Sequence, residues 1–356
     1  MQTDIFDLNE PYYQNLLQDF IYDIYHHPDY LLAEASRINA RAAAISISDS
    51  SNRFLLPYLV RQCPENIYKL VSDRPLYDVI SPYGYPGILL NHDAQNEPVF
   101  LQKSLDLLVE IFQSQDICSA FIRLHPVLNS NIQNILGSHE VKVCGTTVSI
   151  DLSLTEDEQR KQIRSSRRNK INQCRRQGFS AEISLFRENH IPLFIEIYQE
   201  TMNRLSAVQD YYFDRSYYES LVQLYPHIFI CIVKQNDEPI CSGLFTECSG
   251  IVQFHLSGTK TEFLRLTPST LMLDEVRLWA TKRGNFIFHL GGGLGSRQDG
   301  LFEFKASFSK LHHSFCVLRF ITDVNRYVDL SKVRAQQLDM DPEVLLNASF
   351  FPAYRG

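Results

Sequence analysis

Short hydrophobic runs separated by turn-forming residues recur through the first third of the chain. Three such runs lie at residues 42–49, 53–60 and 76–80. Runs of this length between turn residues predict β-strands. Apolar residues then recur at helical spacing over residues 98–114, and another apolar run follows at residues 120–124. The pattern predicts a meander of three strands, a helix and a further strand.

The same order of elements recurs further along the chain. Three apolar runs with turn residues between them lie at residues 228–234, 239–246 and 250–258. A helix should follow Thr267 as N-cap, begin at Pro268 and stop at Gly284, because proline favours the first helical position and glycine the end. The apolar run at residues 286–290 comes next. Both halves therefore predict the same unit, which indicates one fold used twice.

A strongly basic segment separates the two copies. Thr155 and Glu158 have the spacing of a capping box, and the bases follow the acids that open the segment. We expect one helix from about Thr155 to Gly178, with four arginines on one face: Arg160, Arg164, Arg168 and Arg175. This face is either a solvated charged surface or an anion site for diphosphate or RNA, because arginine pairs bidentately with phosphate.

The composition narrows the class of protein. The chain has 356 residues, 44% of them hydrophobic and 21% charged, which is typical of a globular protein with room for two domains. A net charge of -7 argues against a surface that grips nucleic acid everywhere, although a local basic patch remains compatible with it. The eight cysteines form no CxxC pair, so we expect reduced core cysteines, no zinc site and no disulfide framework.

No apolar run approaches the roughly 18 residues that a membrane-spanning helix needs. The acidic start, MQTDIFDLNE, also differs from the basic and then apolar start of a secretory signal. We therefore expect a soluble cytoplasmic protein with no membrane span.

Four glycines follow the last strand of the second copy, at positions 291, 292, 293 and 295. The segment matches neither a Walker loop nor the dinucleotide fingerprint GxGxxG, because Gln298 stands where the last glycine belongs. Glycine is required where the backbone turns with positive φ or where another group approaches closely. We expect the loop to border a ligand site. It leads to Lys305, which lies among phenylalanines and is either a snorkelling surface lysine or a fixed charge.

Several stretches of the chain resemble the Fem-type (FemAB) aminoacyltransferases and related GNAT-like N-acyltransferases. The resembling stretches keep the family's order over residues 24–308 and agree with the duplicated unit. They are YHHPDY, SPYGYPG, RLHPVLN, the basic segment, IYQETMNRL with YYF, LSGT, LTPSTLMLDEVRLWATKRG and LGGGLGSRQDGLFEFKASF.

The resemblance implies an α/β (α+β) fold of two tandem GNAT-like domains, each a mixed sheet flanked by helices. We expect an N-terminal GNAT-like domain over residues 1–150. A C-terminal GNAT-like domain that opens with the basic helix should cover residues 151–330, and a terminal helix and tail should cover residues 331–356.

The resemblance also implies an acyltransferase. Members of the family move an acyl or aminoacyl group to an amine, often on a cell-wall or surface-polysaccharide precursor. We expect an N-acyltransferase that acts on a cell-envelope glycan or peptidoglycan-type precursor, or a related metabolite, with a small-molecule or a lipid- or nucleotide-linked amine as acceptor. No tightly bound cofactor and no metal are expected, and the co-substrate is acyl-CoA or aminoacyl-tRNA.

Two alternatives remain at this point. One is an aminoacyl-tRNA-dependent transferase that forms a peptide bond, with tRNA as partner. The other is a catalytically silent RNA- or glycan-binding protein of the same fold. Residues 180–310 offer no pair of long heptad helices, the arm that some family members insert in the second domain.

Acyl transfer to an amine needs a polarised carbonyl and a stabilised oxyanion, but no serine or cysteine nucleophile. The family's closing motif assigns Lys305 to the carbonyl or the leaving group. His255, which precedes the small residues of LSG, is the candidate general base, although a histidine on an apolar strand is more often a core residue. The family motif assigns Arg204 to the acceptor phosphates, and we add Tyr212 from the YYF stretch. Two lower-ranked cleft residues lie in the first domain: Tyr85 and Arg123.

The donor's phosphates have candidate contacts at the start of the second copy's helix. Helix N-termini bind anions through free backbone N–H groups. The usual GNAT loop Q/R-x-x-G-x-G/A is missing there, and three residues stand in its place: Arg265, Ser269 and Thr270. Arg164 and Arg168 of the basic segment complete the predicted phosphate contacts.

Overall fold

The computed structural model describes residues 1–8, 11–136 and 141–356. The chain forms two compact units. Unit 1 comprises Met1–Cys144 and Phe315–Gly356, and unit 2 comprises Gly145–Ser314.

The strands are β1 (Gln2–Asp7), β2 (Arg41–Asp49), β3 (Asn52–Gln62), β4 (Tyr77–Ile80), β5 (Leu89–Leu90), β6 (Ile117–Arg123), β7 (Val141–Asp151), β8 (Phe179–Leu185), β9 (Ile228–Gln235), β10 (Glu238–Cys248), β11 (Ile251–Thr259), β12 (Ile287–Gly291) and β13 (Leu311–Ile321). The α-helices are α1 (Pro11–Leu17), α2 (Pro28–Arg37), α3 (Glu65–Tyr68), α4 (Pro98–Ser114), α5 (Ile132–Leu136), α6 (Glu156–Gln162), α7 (Ser165–Arg176), α8 (Ile191–Arg204), α9 (Arg215–Val222), α10 (Pro268–Lys282), α11 (Gly300–Ala306), α12 (Val324–Gln337) and α13 (Pro342–Leu346).

Unit 1 contains a mixed sheet with the strand order β1, β2, β3, β4, β6 and β13, and β5 pairs with β3. Strands β4 and β6 run parallel, and the other neighbours run antiparallel. Successive residues of β2 point to opposite faces of the sheet. Ala43 and Ile45 pack in the same core as α4, whereas Ala42 and Ala44 pack with α1 and α2. Helices therefore cover both faces.

The strands of unit 2 pair in the order β7, β12, β11, β10, β9 and β8. Strands β11 and β12 run parallel, and the other neighbours run antiparallel. Ile171 and Cys174 of α7 pack with Leu271 and Val276 of α10 in the core of this unit. Helix α8 lies against β10 and β11.

The two units use the same pairing scheme. In each, three antiparallel strands are followed by a helix and by a strand parallel to the third. The helix is α4 in unit 1 and α10 in unit 2. A parallel pair needs such a crossover, because a tight turn can join only antiparallel neighbours. The duplicated unit predicted from the hydrophobic pattern is confirmed.

The bounds of the units differ from the predicted domains. Residues 315–356, which the sequence pattern assigned partly to the second domain and partly to a tail, belong to unit 1. Strand β13 pairs with β6 there. Tyr354 is fully buried, and its hydroxyl lies 2.7 Å from the Ser119 hydroxyl. The terminal segment is therefore part of the core of unit 1.

The basic segment forms two helices rather than the single predicted helix. Thr155 caps α6 as expected: its Oγ1 accepts from the Glu158 N–H, and the Glu158 carboxylate accepts from the Thr155 N–H at 3.0 Å. The chain is extended at Ile163 and Arg164, between α6 and α7. Ile163 is buried, and the Arg164 N–H donates to the Ser307 carbonyl at 2.9 Å. Tertiary contacts therefore interrupt the helix, and the predicted arginine face is divided: Arg160 lies in α6, whereas Arg168 and Arg175 lie in α7 and Arg164 is its N-cap.

All eight cysteines are free thiols, and seven of them are buried. Among the described residues, no helix combines the length and the hydrophobicity that crossing a lipid bilayer requires.

Candidate functional site

Strands β11 and β12 separate halfway along β11. The parallel pairing joins residues 251–253 to residues 287–289 and then stops, while β11 continues alongside β10 to Thr259. His255 is the extra residue of a β-bulge, because Leu244 faces Leu256 and Phe245 faces Phe254. A bulge bends its strand and redirects a side chain. Beyond this point β11 presents an edge that β12 no longer covers.

The glycine loop leaves β12 at this separation. Gly291 has a φ of +76°. A Cβ on Gly292 would lie 2.9 Å from the Thr146 carbonyl oxygen, and one on Gly293 would lie 2.0 Å from the Arg297 carbonyl oxygen. Both the positive φ and the close backbone approach require glycine. The conformational reason predicted for these glycines is confirmed.

Lys305 is buried at the end of α11. Asp299 caps this helix by accepting from the Phe302 N–H at 2.9 Å, and its other oxygen accepts from the Leu294 N–H at 3.0 Å. The Lys305 side chain is 8% exposed, and its Nζ donates to the Gly292 carbonyl at 2.7 Å. The Nζ also lies 5.7 Å from the centroid of the Phe254 ring. Lys305 is therefore a fixed amine held between the glycine loop and β11, not a snorkelling surface lysine.

Burial changes the acidity of this amine. Desolvation lowers the pKa of Lys305 from 10.5 to about 8, and the nearby Asp299 carboxylate acts in the opposite direction. The ammonium form still predominates at pH 7, but it releases its proton far more readily than an exposed lysine does. An amine with this pKa can donate to a developing negative charge or transfer a proton near neutral pH.

His255 lies half-buried at the bulge. Its Nε2 is 3.4 Å from the Tyr217 hydroxyl, and burial lowers the pKa of His255 to about 4. The ring is therefore neutral at pH 7 and is a weak base there. The role of general base, which suits a pKa near the working pH, stays a prediction that this environment does not favour. His289 is fully buried, and its Nδ1 lies 2.7 Å from the Gln253 side-chain oxygen.

Arg204 lies at the far end of β11. Its Nη1 donates to the Thr259 carbonyl at 3.1 Å and to the Thr261 hydroxyl at 2.9 Å. Tyr212 donates to the Asn203 side-chain oxygen at 3.0 Å. Both side chains are half-buried. The structure thus aligns three predicted site residues along the second half of β11, with Lys305 at Phe254, then His255 itself, then Arg204 at Thr259.

The N-terminus of α10 follows a 3-10 helix, Thr261–Leu266, and not a glycine-rich loop. Thr267 turns the chain with a φ of +54° but does not cap the helix with its side chain. Arg265 is exposed and Ser269 is half-buried. Thr270 is fully buried, and its hydroxyl accepts from Arg167 at 2.8 Å. Of the three residues predicted to contact the acyl donor, Arg265 and Ser269 are therefore accessible, whereas Thr270 already binds Arg167.

Sequence reasoning missed Arg167. Its Nε donates to the Ser307 hydroxyl at 2.7 Å, and its guanidinium lies 4.6 Å from the centroid of the Phe304 ring. Arg167 thereby joins α7 to the start of α10 and to the segment around Lys305. The signal was present, because positions 167, 171 and 174 have the i, i+4, i+7 spacing of one helix face. The predicted arginine face left Arg167 out because Arg167 falls among the apolar residues Ile163 and Ile171.

Arg164 and Arg168 have contacts of their own. Arg164 is exposed and pairs with Glu303 of α11 at 2.9 Å. Arg168 donates to the backbone carbonyls of Ile163 and Arg160 and so completes the end of α6. Arg168 is therefore a structural residue in this conformation, whereas Arg164 remains accessible at the surface.

Tyr85 and Arg123 belong to unit 1. The Arg123 Nη1 donates to the carbonyls of Ser81 and Pro82 at 3.1 and 3.2 Å, and burial lowers the pKa of Arg123. The Tyr85 ring packs edge-on against Tyr25 at 6.1 Å between centroids. Both side chains stabilise the SPYGYPG loop. Within the described part of the chain, no three His, Cys, Asp or Glu side chains lie close enough to share a metal ion.

No protein-family model matches the chain, and no curated protein sequence matches it. Solved structures do. FemX is 13% identical, with a TM-score of 0.67 over 89% of this chain and 97% of that chain. L-PGS from Bacillus licheniformis is 12% identical, with a TM-score of 0.56 over 89% of this chain and 93% of that chain. A conserved protein of unknown function from Bacteroides thetaiotaomicron is 12% identical, with a TM-score of 0.52 over 89% of this chain and 99% of that chain.

At these identities the likeness is one of fold. The predicted fold class, an α/β architecture of two tandem GNAT-like domains, is confirmed, and so is the resemblance to the Fem-type and GNAT-like proteins at the level of the fold.

Proposed function

We propose that this protein is an N-acyltransferase of the Fem-type and GNAT-like kind, which moves an acyl or aminoacyl group from a donor to an amine. The observation that carries the proposal is the separation of β11 from β12, with the buried amine of Lys305 fixed at its edge. An uncovered strand edge presents backbone donors and acceptors to a bound ligand. A water-poor edge of this kind suits the polarised carbonyl of an acyl donor.

The transfer forms a C–N bond and breaks the donor's C–S or C–O bond. The attacking amine loses a proton, and the leaving thiolate or alkoxide gains one. In this proposal Lys305 donates to the carbonyl oxygen or to the leaving group, and its hydrogen bond to Gly292 orients the amine. No side-chain nucleophile is needed, because the acceptor amine attacks the carbonyl directly.

The donor's phosphates have accessible contacts at the start of α10. Ser269 and Arg265 lie there, and Arg167 supplies a positive charge next to Thr270. Phosphate is favoured at this place because backbone N–H groups and the helix dipole both point to it. A coenzyme A diphosphate and the backbone of a tRNA both carry the required charge.

The surface of α7 favours an aminoacyl-tRNA donor as the second candidate. The exposed basic residues of α7 are Lys170, Arg175 and Arg176, and its N-cap Arg164 is exposed as well. The glycine-rich loop that usually holds coenzyme A is replaced by a 3-10 helix. Arg204 and Tyr212 would hold a phosphate-bearing acceptor, such as the amine of a cell-envelope glycan or peptidoglycan-type precursor. We place the reaction in the cytoplasm, where both donor types occur.

Thermal melts of the purified protein decide between the donors. A ligand at about 100 times its Kd adds roughly 2.7 kcal/mol of stability. An upward shift with acetyl-CoA supports a thioester donor. A shift with aminoacyl-tRNA that deacylated tRNA does not reproduce supports an ester donor, and this binding should weaken steeply with added salt. No shift with either donor, together with no transfer to a panel of amines, would contradict the proposal.

A further inference from the structure

A cavity of about 360 Å³ lies in unit 1, where the C-terminal segment packs against the end of β3. Three of the residues that line it are arginines: Arg61 of β3, Arg334 of α12 and Arg355 near the C-terminus. All three are half-buried. A volume of this size is within the range of small-molecule sites.

Arginine side chains outnumber the acidic side chains that they contact at this cavity. Asp78, whose side chain is 1% exposed, accepts from the Nε of Arg61 at 2.8 Å and from the Nε of Arg355. Two guanidinium groups therefore share one carboxylate. Arg334 donates through its Nε to the Gly356 backbone oxygen at 2.9 Å, and within the described residues no acidic side chain pairs with it. Three guanidinium groups thus lie around one buried side-chain carboxylate.

The hydrogen-bonding geometry leaves donors directed elsewhere. Arg61 and Arg334 use only their Nε atoms for the contacts described, so within the described chain their terminal nitrogens have no acceptor. Arg355 uses its Nη2 on the Gln62 carbonyl at 2.6 Å. Guanidinium groups bind phosphate oxygens through paired N–H donors. The rim carries Phe350, which is 56% exposed and offers an aromatic face.

We propose that this cavity binds the phosphate or diphosphate group of a small anionic ligand. Arg61 and Arg334 contact the anion, and Arg355 with Asp78 holds the site together. The site is independent of acyl transfer, since every residue in it belongs to unit 1 and none is assigned to the proposed chemistry.

Isothermal titration of the full chain with inorganic pyrophosphate tests the site. Saturable one-site binding is expected, and Arg334→Gln should raise the Kd at least about tenfold. Lys332→Gln is the matched control, because it removes an exposed cation from the same helix without touching the cavity. Its Kd should equal that of the wild type. No saturable binding, or equal weakening by both variants, would overturn the proposal, because the second result would show only diffuse attraction.

Two further variants keep the test decisive. If Arg334→Gln melts early, Arg334→Lys replaces it, and wild-type affinity in that variant would contradict a guanidinium contact. Uridine diphosphate distinguishes the source of the phosphate. If uridine diphosphate binds more tightly than pyrophosphate, and Phe350→Ala removes this difference, the site is assigned to a nucleotide. If the two ligands bind with equal affinity, the site is assigned to the diphosphate group alone. Either result supports the site.

Discussion

The two units differ most where their parallel strands end. In unit 1, hydrogen bonds continue past the β4–β6 pair: Ser81 donates to the Phe121 carbonyl, the Arg123 N–H donates to the Ser81 hydroxyl at 2.8 Å, and Gly87 donates to the Arg123 carbonyl at 2.9 Å. In unit 2, the pairing of β11 with β12 stops at residues 253 and 289. The parallel strands of unit 1 are therefore followed by further hydrogen bonds, and we call unit 1 the closed copy. The parallel strands of unit 2 separate, and we call unit 2 the open copy.

The segments after the fifth strand account for this difference. In unit 1 the His125 Nδ1 accepts from the Val127 and Leu128 N–H groups, so its Nε2 carries the proton and donates to Asp23 at 2.9 Å. This pair is fully buried. In unit 2 the corresponding place holds glycines and the amine of Lys305. One copy fills the position with its own polar groups, and our proposed function assigns the position in the other copy to the acyl donor.

Replacing Lys305 should have the largest effect. Lys305→Met removes the hydrogen-bond donor from the open edge while keeping an unbranched side chain one atom shorter. Turnover should fall about 10²–10³-fold, equal to about 3–4 kcal/mol of transition-state stabilisation, which is the usual effect of one preorganised donor. Single-turnover acyl transfer measures it. Lys310→Met, at an exposed position nearby, is the control. Equal turnover in the two variants would remove Lys305 from the chemistry.

Removing the buried His125–Asp23 hydrogen bond of unit 1 should instead lower the free energy of unfolding. His125→Ala removes the imidazole N–H that donates to the buried Asp23 carboxylate, and a buried charged group that loses its hydrogen-bond donor costs about 3 kcal/mol or more. Chemical denaturation measures the free energy of unfolding. His92→Ala, at a side chain that is 98% exposed, should change it little. An unchanged melt with a turnover as low as that of Lys305→Met would place catalysis in unit 1 and break the distinction between the copies.

The glycine loop offers a smaller perturbation of the open copy. In Gly292→Ala the new Cβ would meet the Thr146 carbonyl oxygen at 2.9 Å, so the loop and its carbonyl bond to Lys305 must shift. We expect about a tenfold loss of turnover, since displaced catalytic groups lose rate steeply. Gly300→Ala has open space around the added Cβ and should retain wild-type turnover. Equal rates for both variants would show that the position of Gly292 is unimportant.

The pH dependence should show the smallest effect. Because burial lowers the pKa of Lys305 to about 8, the ammonium fraction falls as pH rises through that value. Turnover should therefore drop about fourfold between about pH 7 and about pH 8.5 with an acceptor whose amine is already neutral at pH 7. Lys305→Arg, which stays charged, should lose this descending limb. A flat profile in the wild type would mean that the protonated amine is not required.

Local patterns predicted the fold well because each element carries its own signal. The apolar runs and the capping box at Thr155 depend on neighbours in sequence, and the structure contains them. Contacts between distant residues escaped prediction. The bond between Asp23 and His125 joins positions 102 residues apart, and the extended link at Ile163 depends on its burial and on the Ser307 carbonyl.

Some residues of the candidate site were likewise predictable from neighbours in sequence, whereas others depend on contacts between distant residues. The glycines and Lys305 were found from a motif that lies within one short segment. The bulge at His255 depends on the register of β10 against β11, and the role of Arg167 depends on α10 and the residues after Lys305. Spacing along the chain places Arg167 on the buried face of its helix, but it reveals neither the partners of Arg167 nor the bulge.

Amide hydrogen exchange with and without a saturating acyl donor shows which unit binds the donor. We expect slower exchange at residues 254–258, 268–271 and 291–293 of unit 2, which surround the open edge, and no change at residues 82–88 and 124–129 of unit 1. Protection confined to the unit 1 segments would contradict the assignment of the acyl donor to the gap between β11 and β12.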